Sequence, residues 1–218
     1  VRETELVKLP DTLTYAEGAT LPCAAGTAWN ALTSANLKAG DSVLILGTGG
    51  VALFGAQLAR AAGAQVILVS RYAAKLERLR HLPPDVDAAI ASEAIPQWEG
   101  RVLELTGGKG VYLVLEVGGQ DTFAHSLAAA ALGGQIALIG ELSGVATQVD
   151  ILQVRGKLLT LRAMSAGNRV QLAELARFVA GHTIHPVLDR VFAFAEAPAA
   201  FEYLRSGGHV GKVVITLG

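Results

Sequence analysis

The chain contains a series of short, wholly apolar runs, each followed by a turn and then by apolar residues at helical spacing. Such runs are typical of strands buried on both faces of a parallel sheet, because a half-exposed strand alternates polar and apolar residues. We predict six strands, at residues 43–46, 66–69, 86–90, 111–115, 136–139 and 158–161. Strand and helix alternate, so right-handed crossovers predict an α/β fold with a doubly wound parallel sheet in the order 3-2-1-4-5-6.

The two ends of the chain do not fit this repeat. Residues 21–35 predict a helix ahead of the first strand. After the sixth strand, predicted helices at 169–180 and 195–204 alternate with predicted strands at 187–194 and 210–217. These elements have no obvious place in the predicted sheet.

Charge and hydropathy exclude several classes of partner. The 218 residues carry 18 Lys and Arg against 19 Asp and Glu, so no basic field is available to hold a nucleic acid. No apolar run reaches the ~20 residues of a membrane-spanning helix, and the N-terminal residues lack a signal-peptide pattern. We therefore expect a cytoplasmic globular protein without nucleic-acid or membrane partners.

A glycine-rich turn follows the first predicted strand. Residues 47–52 read GTGGVA, which matches the G-x-G-x-x-G/A fingerprint of a Rossmann dinucleotide-binding loop. Gly47 permits the tight turn, Gly49 lets the backbone approach a pyrophosphate, and Ala52 keeps the next helix close to the strand. The alternative is that the glycines only tighten a turn. The predicted cofactor contacts in this loop are Gly47, Thr48, Gly49, Gly50 and Val51.

The residues after the second predicted strand indicate which dinucleotide binds. NAD sites usually carry Asp or Glu here, and that carboxylate would repel a 2′-phosphate. This chain has Ser70 and Arg71 instead, with Lys75 one helical turn further on. Arg71 can pair with a phosphate through two N–H groups. We therefore predict NADP, the alternative being that Arg71 and Lys75 form a solvated helix face.

Two further strand ends are expected to line the crevice where the strand order reverses. Small residues there would let a nicotinamide riboside lie against the backbone, and the predicted contacts are Val117, Gly118, Gly119, Gly140 and Leu142. Glu116 and Glu141 lie near this crevice without an evident proton partner, so we expect structural roles for both. No catalytic residue is identified.

Several segments together resemble the medium-chain dehydrogenase/reductase superfamily, in its zinc-type alcohol dehydrogenase-like and quinone reductase-like branch. The segments are LPCAAGTAWNAL (21–32), LKAGDSVLILGTGGVALFGAQLARAAGA (37–64), LVLEVGG (113–119), GGQIALIG (133–140) and GHVGKVVI (208–215). Members of this superfamily begin with a GroES-like catalytic domain, which this chain lacks. Since the chain also begins without Met, we expect a piece of a longer protein.

The resemblance implies a division of the chain and further site residues. Residues 1–22 would be a remnant of the catalytic domain, residues 23–166 the NADP-binding Rossmann domain, and residues 167–218 a return segment toward the catalytic domain. Thr27 matches a residue that approaches the nicotinamide, and Lys212 falls where members bring a basic residue to the cofactor phosphates. Arg169 is a weaker candidate. Members also pair their sheets about a two-fold axis, so we expect a homodimer through the edge strand at 157–164.

Metal binding depends on residues outside this chain. In zinc-dependent members a Cys at the position of Cys23 is one of three protein ligands, but many zinc-free relatives also have Cys there, and one ligand cannot hold zinc. The spacing of His182 and His185 resembles a ligand pair, yet the sequence places no carboxylate or thiol beside them. We therefore predict no metal in this chain.

The sequence thus predicts the cofactor-binding portion of an NADP-dependent oxidoreductase. Its parent would transfer hydride between NADPH and a small-molecule carbonyl, enone or quinone, and the chain alone would be inactive because its substrate cleft lacks one wall. One alternative is a non-catalytic nucleotide-sensing or structural Rossmann module. Another is a different Rossmann enzyme, such as a short-chain dehydrogenase or a methyltransferase.

Overall fold

A computed structural model describes residues 2–217. The strands are β1 Ser42–Leu46, β2 Gln65–Ser70, β3 Ala88–Ala91, β4 Val111–Glu116, β5 Ala130–Leu138, β6 Thr160–Ala163, β7 Leu188–Ala193 and β8 Lys212–Thr216. The helices are α1 Tyr15–Gly18, α2 Gly26–Ser34, α3 Gly50–Ala61, α4 Ala73–Leu79, α5 Trp98–Leu105, α6 Phe123–Ala129, α7 Ile151–Gly156, α8 Arg169–Gly181 and α9 Ala197–Arg205, with a π-helical turn at Leu21–Ala25 ahead of α2.

The first six strands form one parallel sheet in the order β3-β2-β1-β4-β5-β6, which confirms the predicted doubly wound α/β fold. The central strand explains why the apolar runs were informative. Val43, Leu44 and Ile45 of β1 are fully buried, and alternate residues enter two different core clusters on opposite faces of the sheet. A strand covered on both faces needs apolar residues at every position.

Three predicted strands have wrong boundaries. The fifth strand begins at Ala130 and not at residue 136, and it ends at Leu138. The third strand begins at Ala88 and not at residue 86. At Asp87 the Val66 N–H donates to the side-chain carboxylate at 2.6 Å in place of a backbone carbonyl of the third strand. The sixth strand begins at Thr160, and Leu158 has a positive φ of 52°. Lys157 is the C-cap residue of α7 and lies outside the strand, and its ammonium donates to the Leu127, Ala128 and Ala130 carbonyls around the end of α6.

The predicted helices and strands at the C-terminal end are present, and the two strands form a second sheet. β7 and β8 pair in parallel with each other, apart from the six-stranded sheet. Leu13 and Leu21 near one end of the chain, and Leu175 and Val179 of α8, share a core cluster with α2 and α3. Both ends therefore pack on the same face as α2 and α3. The division at residues 22 and 166 stays a prediction. No helix within residues 2–217 is both long and apolar enough to cross a bilayer.

Candidate functional site: a dinucleotide crevice

The glycine-rich turn joins β1 to α3 at the carboxyl edge of the sheet. Gly47 has a φ of +88°, a conformation that glycine adopts without steric cost. A Cβ placed on Gly49 would meet no atom within 4 Å, so this backbone borders open space that can receive a pyrophosphate. No side chain of the described residues caps the N-terminus of α3. Its first N–H groups are therefore free to bind an anion.

A loop from the far end of the chain covers one side of this turn. We call residues 206–211 the return loop. The Gly211 N–H donates to the Thr48 carbonyl at 2.8 Å, and Gly49 and Gly211 form a parallel bridge. The side chain of Lys212 crosses Gly50 so closely that a Cβ there would collide with Lys212 Cδ. The structure thus brings Lys212 to the glycine turn.

The predicted adenosine end lies where β2 runs into α4. Ser70 is buried at the end of β2, whereas Arg71 is exposed and its guanidinium carbon lies 5.7 Å from the centre of the Tyr72 ring. The Lys75 ammonium donates to the Gly207 carbonyl of the return loop. Burial lowers the pKa of Lys75, the charge of Arg78 lowers it further, and Asp189 opposes both effects. Lys75 therefore holds the return loop against α4.

The structure adds one residue to this end that the sequence did not indicate. Glu93 follows β3, and its carboxylate accepts a hydrogen bond from the Ala73 N–H at 2.8 Å, at the start of α4. The Glu93 N–H in turn donates to the Arg71 carbonyl. An acid is thus present beside the adenosine end, although none directly follows β2. The adjacency of β2 and β3 in the predicted order was the signal that could have found it.

A charged network joins α4 to β7, α9 and the return loop. The Asp189 side chain is only 1% exposed and accepts from Tyr203 Oη at 2.6 Å and the Val210 N–H at 3.2 Å. It also pairs with Arg78, which donates a second hydrogen bond to the Gly208 carbonyl at 2.9 Å. Burial acts to raise the pKa of Asp189, but these hydrogen bonds outweigh it and hold the pKa below its ordinary value.

The predicted nicotinamide end is shaped by a buried carboxylate. Glu116, at the end of β4, is 1% exposed and accepts from the N–H groups of Gly118 and Gly119 at 2.8 and 3.0 Å. It also accepts from Thr122 Oγ1 at 2.6 Å and from the Ser126 hydroxyl. All of these contacts hold the turn after β4, so Glu116 has the structural role that we expected.

The other residues predicted for the nicotinamide end differ in how close they lie to the turns that form it. A Cβ on Gly140 would collide with the Val117 carbonyl oxygen, so the turns after β4 and β5 touch at these two residues. A Cβ on Gly47 would lie 3.6 Å from Val117 Cγ2, which places this pair beside the glycine turn. Leu142, by contrast, is 87% exposed on the loop after β5. The Thr27 hydroxyl is buried and donates to the Cys23 carbonyl of its own helical turn at 2.8 Å.

The histidines at 182 and 185 do not come together as ligands. His182 Nδ1 lies 2.9 Å from the Phe178 carbonyl, and His185 Nδ1 lies 2.8 Å from a carboxylate oxygen of Glu17. No sequence pattern indicated that carboxylate, because Glu17 lies far from His185 in the sequence. Cys23 is exposed, and no three His, Cys, Asp or Glu residues gather into a metal site in the described part of the chain. These residues alone do not make a zinc site.

Comparison with known proteins identifies the family. The chain is 38% identical over 219 aligned positions to the zinc-type alcohol dehydrogenase-like protein C1773.06c of Schizosaccharomyces pombe, covering 97% of this chain and 63% of that protein. A solved NAD-dependent alcohol dehydrogenase is 29% identical, with a TM-score of 0.90 over 100% of this chain and 63% of its own.

The 2-octenoyl-CoA carboxylase reductase CinF, solved with NADP and 2-octenoyl-CoA, is 27% identical, with a TM-score of 0.89 over 98% of this chain and 52% of its own. The chain thus spans between about half and two thirds of the length of these relatives. The sequence profile of the zinc-binding dehydrogenases matches residues 85–215, more than half of the chain. The resemblance seen in the sequence is confirmed: the chain belongs to the zinc-binding dehydrogenase family.

Proposed function

We propose that this chain is the NADP-binding portion of an oxidoreductase that transfers hydride between NADPH and a carbonyl, enone or quinone. The observation that carries the proposal is the open space over Gly49 at the uncapped start of α3, with Lys212 lying across the same turn. When bound, the dinucleotide would supply the hydride from its nicotinamide ring. The oxidoreductase activity of family members and the cofactor and enoyl-CoA ligand of CinF support it.

This chain's own residues would bind and orient the cofactor. The turn at Gly47–Val51 and the ammonium of Lys212 would hold the pyrophosphate, and Ser70, Arg71 and Lys75 the adenosine phosphate. The turns at Val117–Gly119 and Gly140, held by the carboxylate of Glu116, would lie along the nicotinamide riboside. Because no catalytic acid or base is identified among these groups, we propose that the chain alone binds cofactor without turning over an alcohol, enone or quinone.

The choice between NADP and NAD is tested by replacing Arg71. We expect calorimetry to show tighter binding of NADP than of NAD by the unaltered chain. Arg71→Ala should weaken NADP binding by about 1.5 to 3 kcal/mol, since it removes a hydrogen-bonded charge partner of the 2′-phosphate, and should leave NAD binding almost unchanged. Arg80→Ala is the matched control, because Arg80 is an exposed arginine at the other end of α4, paired with Glu77. Equal affinity for the two cofactors would contradict the NADP assignment.

One observation favours NAD as a second candidate. The carboxylate of Glu93 is fixed on the Ala73 N–H at the adenosine end, where it would repel a 2′-phosphate. If the unaltered chain prefers NAD, Glu93→Gln should move the preference toward NADP, because the amide keeps an acceptor for the Ala73 N–H but carries no charge. A Gln variant with the NAD preference of the unaltered chain would exclude Glu93 as the cause.

A further inference from the structure

His209 occupies the return loop between two groups of basic residues. On one side, the carbonyls of residues 207 and 208 accept hydrogen bonds from Lys75 and Arg78 of α4. On the other, residue 211 is bonded to the glycine turn, and Lys212 crosses it. His209 is therefore held between the proposed adenosine-phosphate end and the proposed pyrophosphate turn, by contacts on both sides.

The two nitrogens of the His209 ring have different surroundings. Nδ1 is closed off from solvent and has no hydrogen-bond partner among residues 2–217. The residue as a whole is partly exposed, so the ring reaches the surface through its other edge. A proton on Nδ1 would be a buried donor without an acceptor, which is costly. A neutral ring with its proton on Nε2 avoids that cost and presents an N–H at the nitrogen that a ligand can reach.

Burial and the surrounding charges together favour the neutral form of the ring. Burial lowers the pKa of His209 most, and the charge of Lys75 lowers it further. Asp189 of β7, which is itself bonded to Tyr203, acts to raise the pKa, while Lys212 and Arg78 lower it. With its pKa below the ordinary histidine value, the ring is mostly neutral at pH 7. It can still donate one hydrogen bond to an anion that the surrounding cations attract.

We propose that the neutral ring of His209 donates its Nε2–H to a phosphate oxygen of the bound dinucleotide, as a further cofactor-binding residue between Lys75 and Lys212. The inference rests on the proposed function, since it requires that a dinucleotide binds here. The same chemistry would serve the 2′-phosphate or the pyrophosphate. Affinities measured for both NADP and NAD distinguish these two contacts, because only NADP carries the 2′-phosphate.

The test compares two isosteric replacements by calorimetry. The amide nitrogen of Gln can take the place of Nε2, whereas that of Asn falls at the place of Nδ1. We therefore expect His209→Asn to weaken NADP binding by about tenfold or more, the loss typical of a hydrogen bond to a charged group. His209→Gln should restore most of the affinity. His182→Asn is the matched control, because His182 is an exposed histidine at the end of α8.

Each outcome decides the proposal. A tenfold loss for NADP alone assigns the contact to the 2′-phosphate, and an equal loss for NAD assigns it to the pyrophosphate. A neutral donor also predicts that the ratio of wild-type to Asn affinity stays constant from about pH 7 to about pH 9. Equal affinities of the wild type and His209→Asn, or equal losses in Asn and Gln, would overturn this proposal alone. A wild-type chain that binds neither cofactor would overturn the proposed function together with it.

Discussion

Replacing Asp189 by Asn tests whether the network behind α4 holds the return loop in place. The carboxylate accepts from Arg78, from Tyr203 at 2.6 Å and from the Val210 N–H at 3.2 Å while only 1% exposed. Hydrogen bonds to a charged group contribute roughly 1.5 to 3 kcal/mol, and neutral ones about 0.5 to 1.5 kcal/mol. Asn keeps the shape but carries no charge: its Oδ1 can still accept from Arg78 and Val210, while its amide nitrogen takes the place of the oxygen that accepts from Tyr203. We expect the free energy of unfolding to fall by about 2 kcal/mol.

Two further variants bracket that value. Asp189→Ala leaves the Tyr203 hydroxyl and the buried Val210 N–H without their acceptor, so its cost should rise to roughly 3 kcal/mol; the half-exposed Arg78 keeps water and the Gly208 carbonyl as partners. Glu202→Gln is the control, because its ion pair with Arg205 is exposed on both sides and such pairs contribute little. We expect a change within about 0.5 kcal/mol for this variant.

The assay is urea unfolding of wild type and Asp189→Asn at a series of pH values. The folded-state pKa of Asp189 lies below the unfolded-state value. Its contribution is therefore fully present above the unfolded-state pKa and is lost as the pH falls through the folded-state pKa. The difference between wild type and Asn should be constant near neutral pH and should narrow in acid. Equal urea midpoints at pH 7, or a difference that does not shrink in acid, would refute this account of the network.

Two further predictions concern the turns and the sheet edge. Gly140→Ala should lower the free energy of unfolding by about 1 to 3 kcal/mol, because its Cβ collides with the Val117 carbonyl. The control is Gly100→Ala in α5, where the Cβ meets open space and the free energy of unfolding should rise by about 0.5 to 1 kcal/mol. Equal effects of the two variants on stability would show that the collision at residue 140 is relieved. We propose a homodimer through β6. The Met164 N–H donates to β5, so alternation points the Ala163 N–H outward, and Ala163→Pro should convert dimers to monomers in light scattering. A wild type that is monomeric at tens of micromolar would contradict the dimer.

The sheet was predictable because its signal is local. Each buried strand needs apolar residues at every position, so runs such as residues 43–46 and 111–115 indicated the strands, and the strand order followed from the doubly wound arrangement that right-handed crossovers favour. The boundaries were harder to predict. Lys157 was assigned to a strand because its neighbours are apolar, yet its ammonium binds three carbonyls near residue 129. No local pattern reports a contact of that kind.

The residues of the candidate site likewise divide into those that a sequence pattern indicated and those that none did. The glycine turn has a sequence pattern that follows from its own backbone geometry, and Lys212 entered through the resemblance. Glu93 and His209 have no local sequence pattern, because each acquires its position from residues that are distant in the sequence. Glu93 reaches the start of α4 only because β3 lies beside β2. His209 is placed by hydrogen bonds from α4 to a loop more than a hundred residues later.

The return loop also bears on when, during folding, the chain becomes able to bind a dinucleotide. The six-stranded sheet is complete once its last strand, β6, has formed, and β6 ends at Ala163. The hydrogen bond from Gly211 to Thr48, by contrast, joins residues that are far apart in the sequence. Contacts of such long range are slow to form, and during synthesis their C-terminal partner emerges last. A nascent chain released before residue 206 could complete its main sheet and still lack the Lys212 side of the glycine turn. The nucleotide crevice should therefore mature after the sheet that supports it.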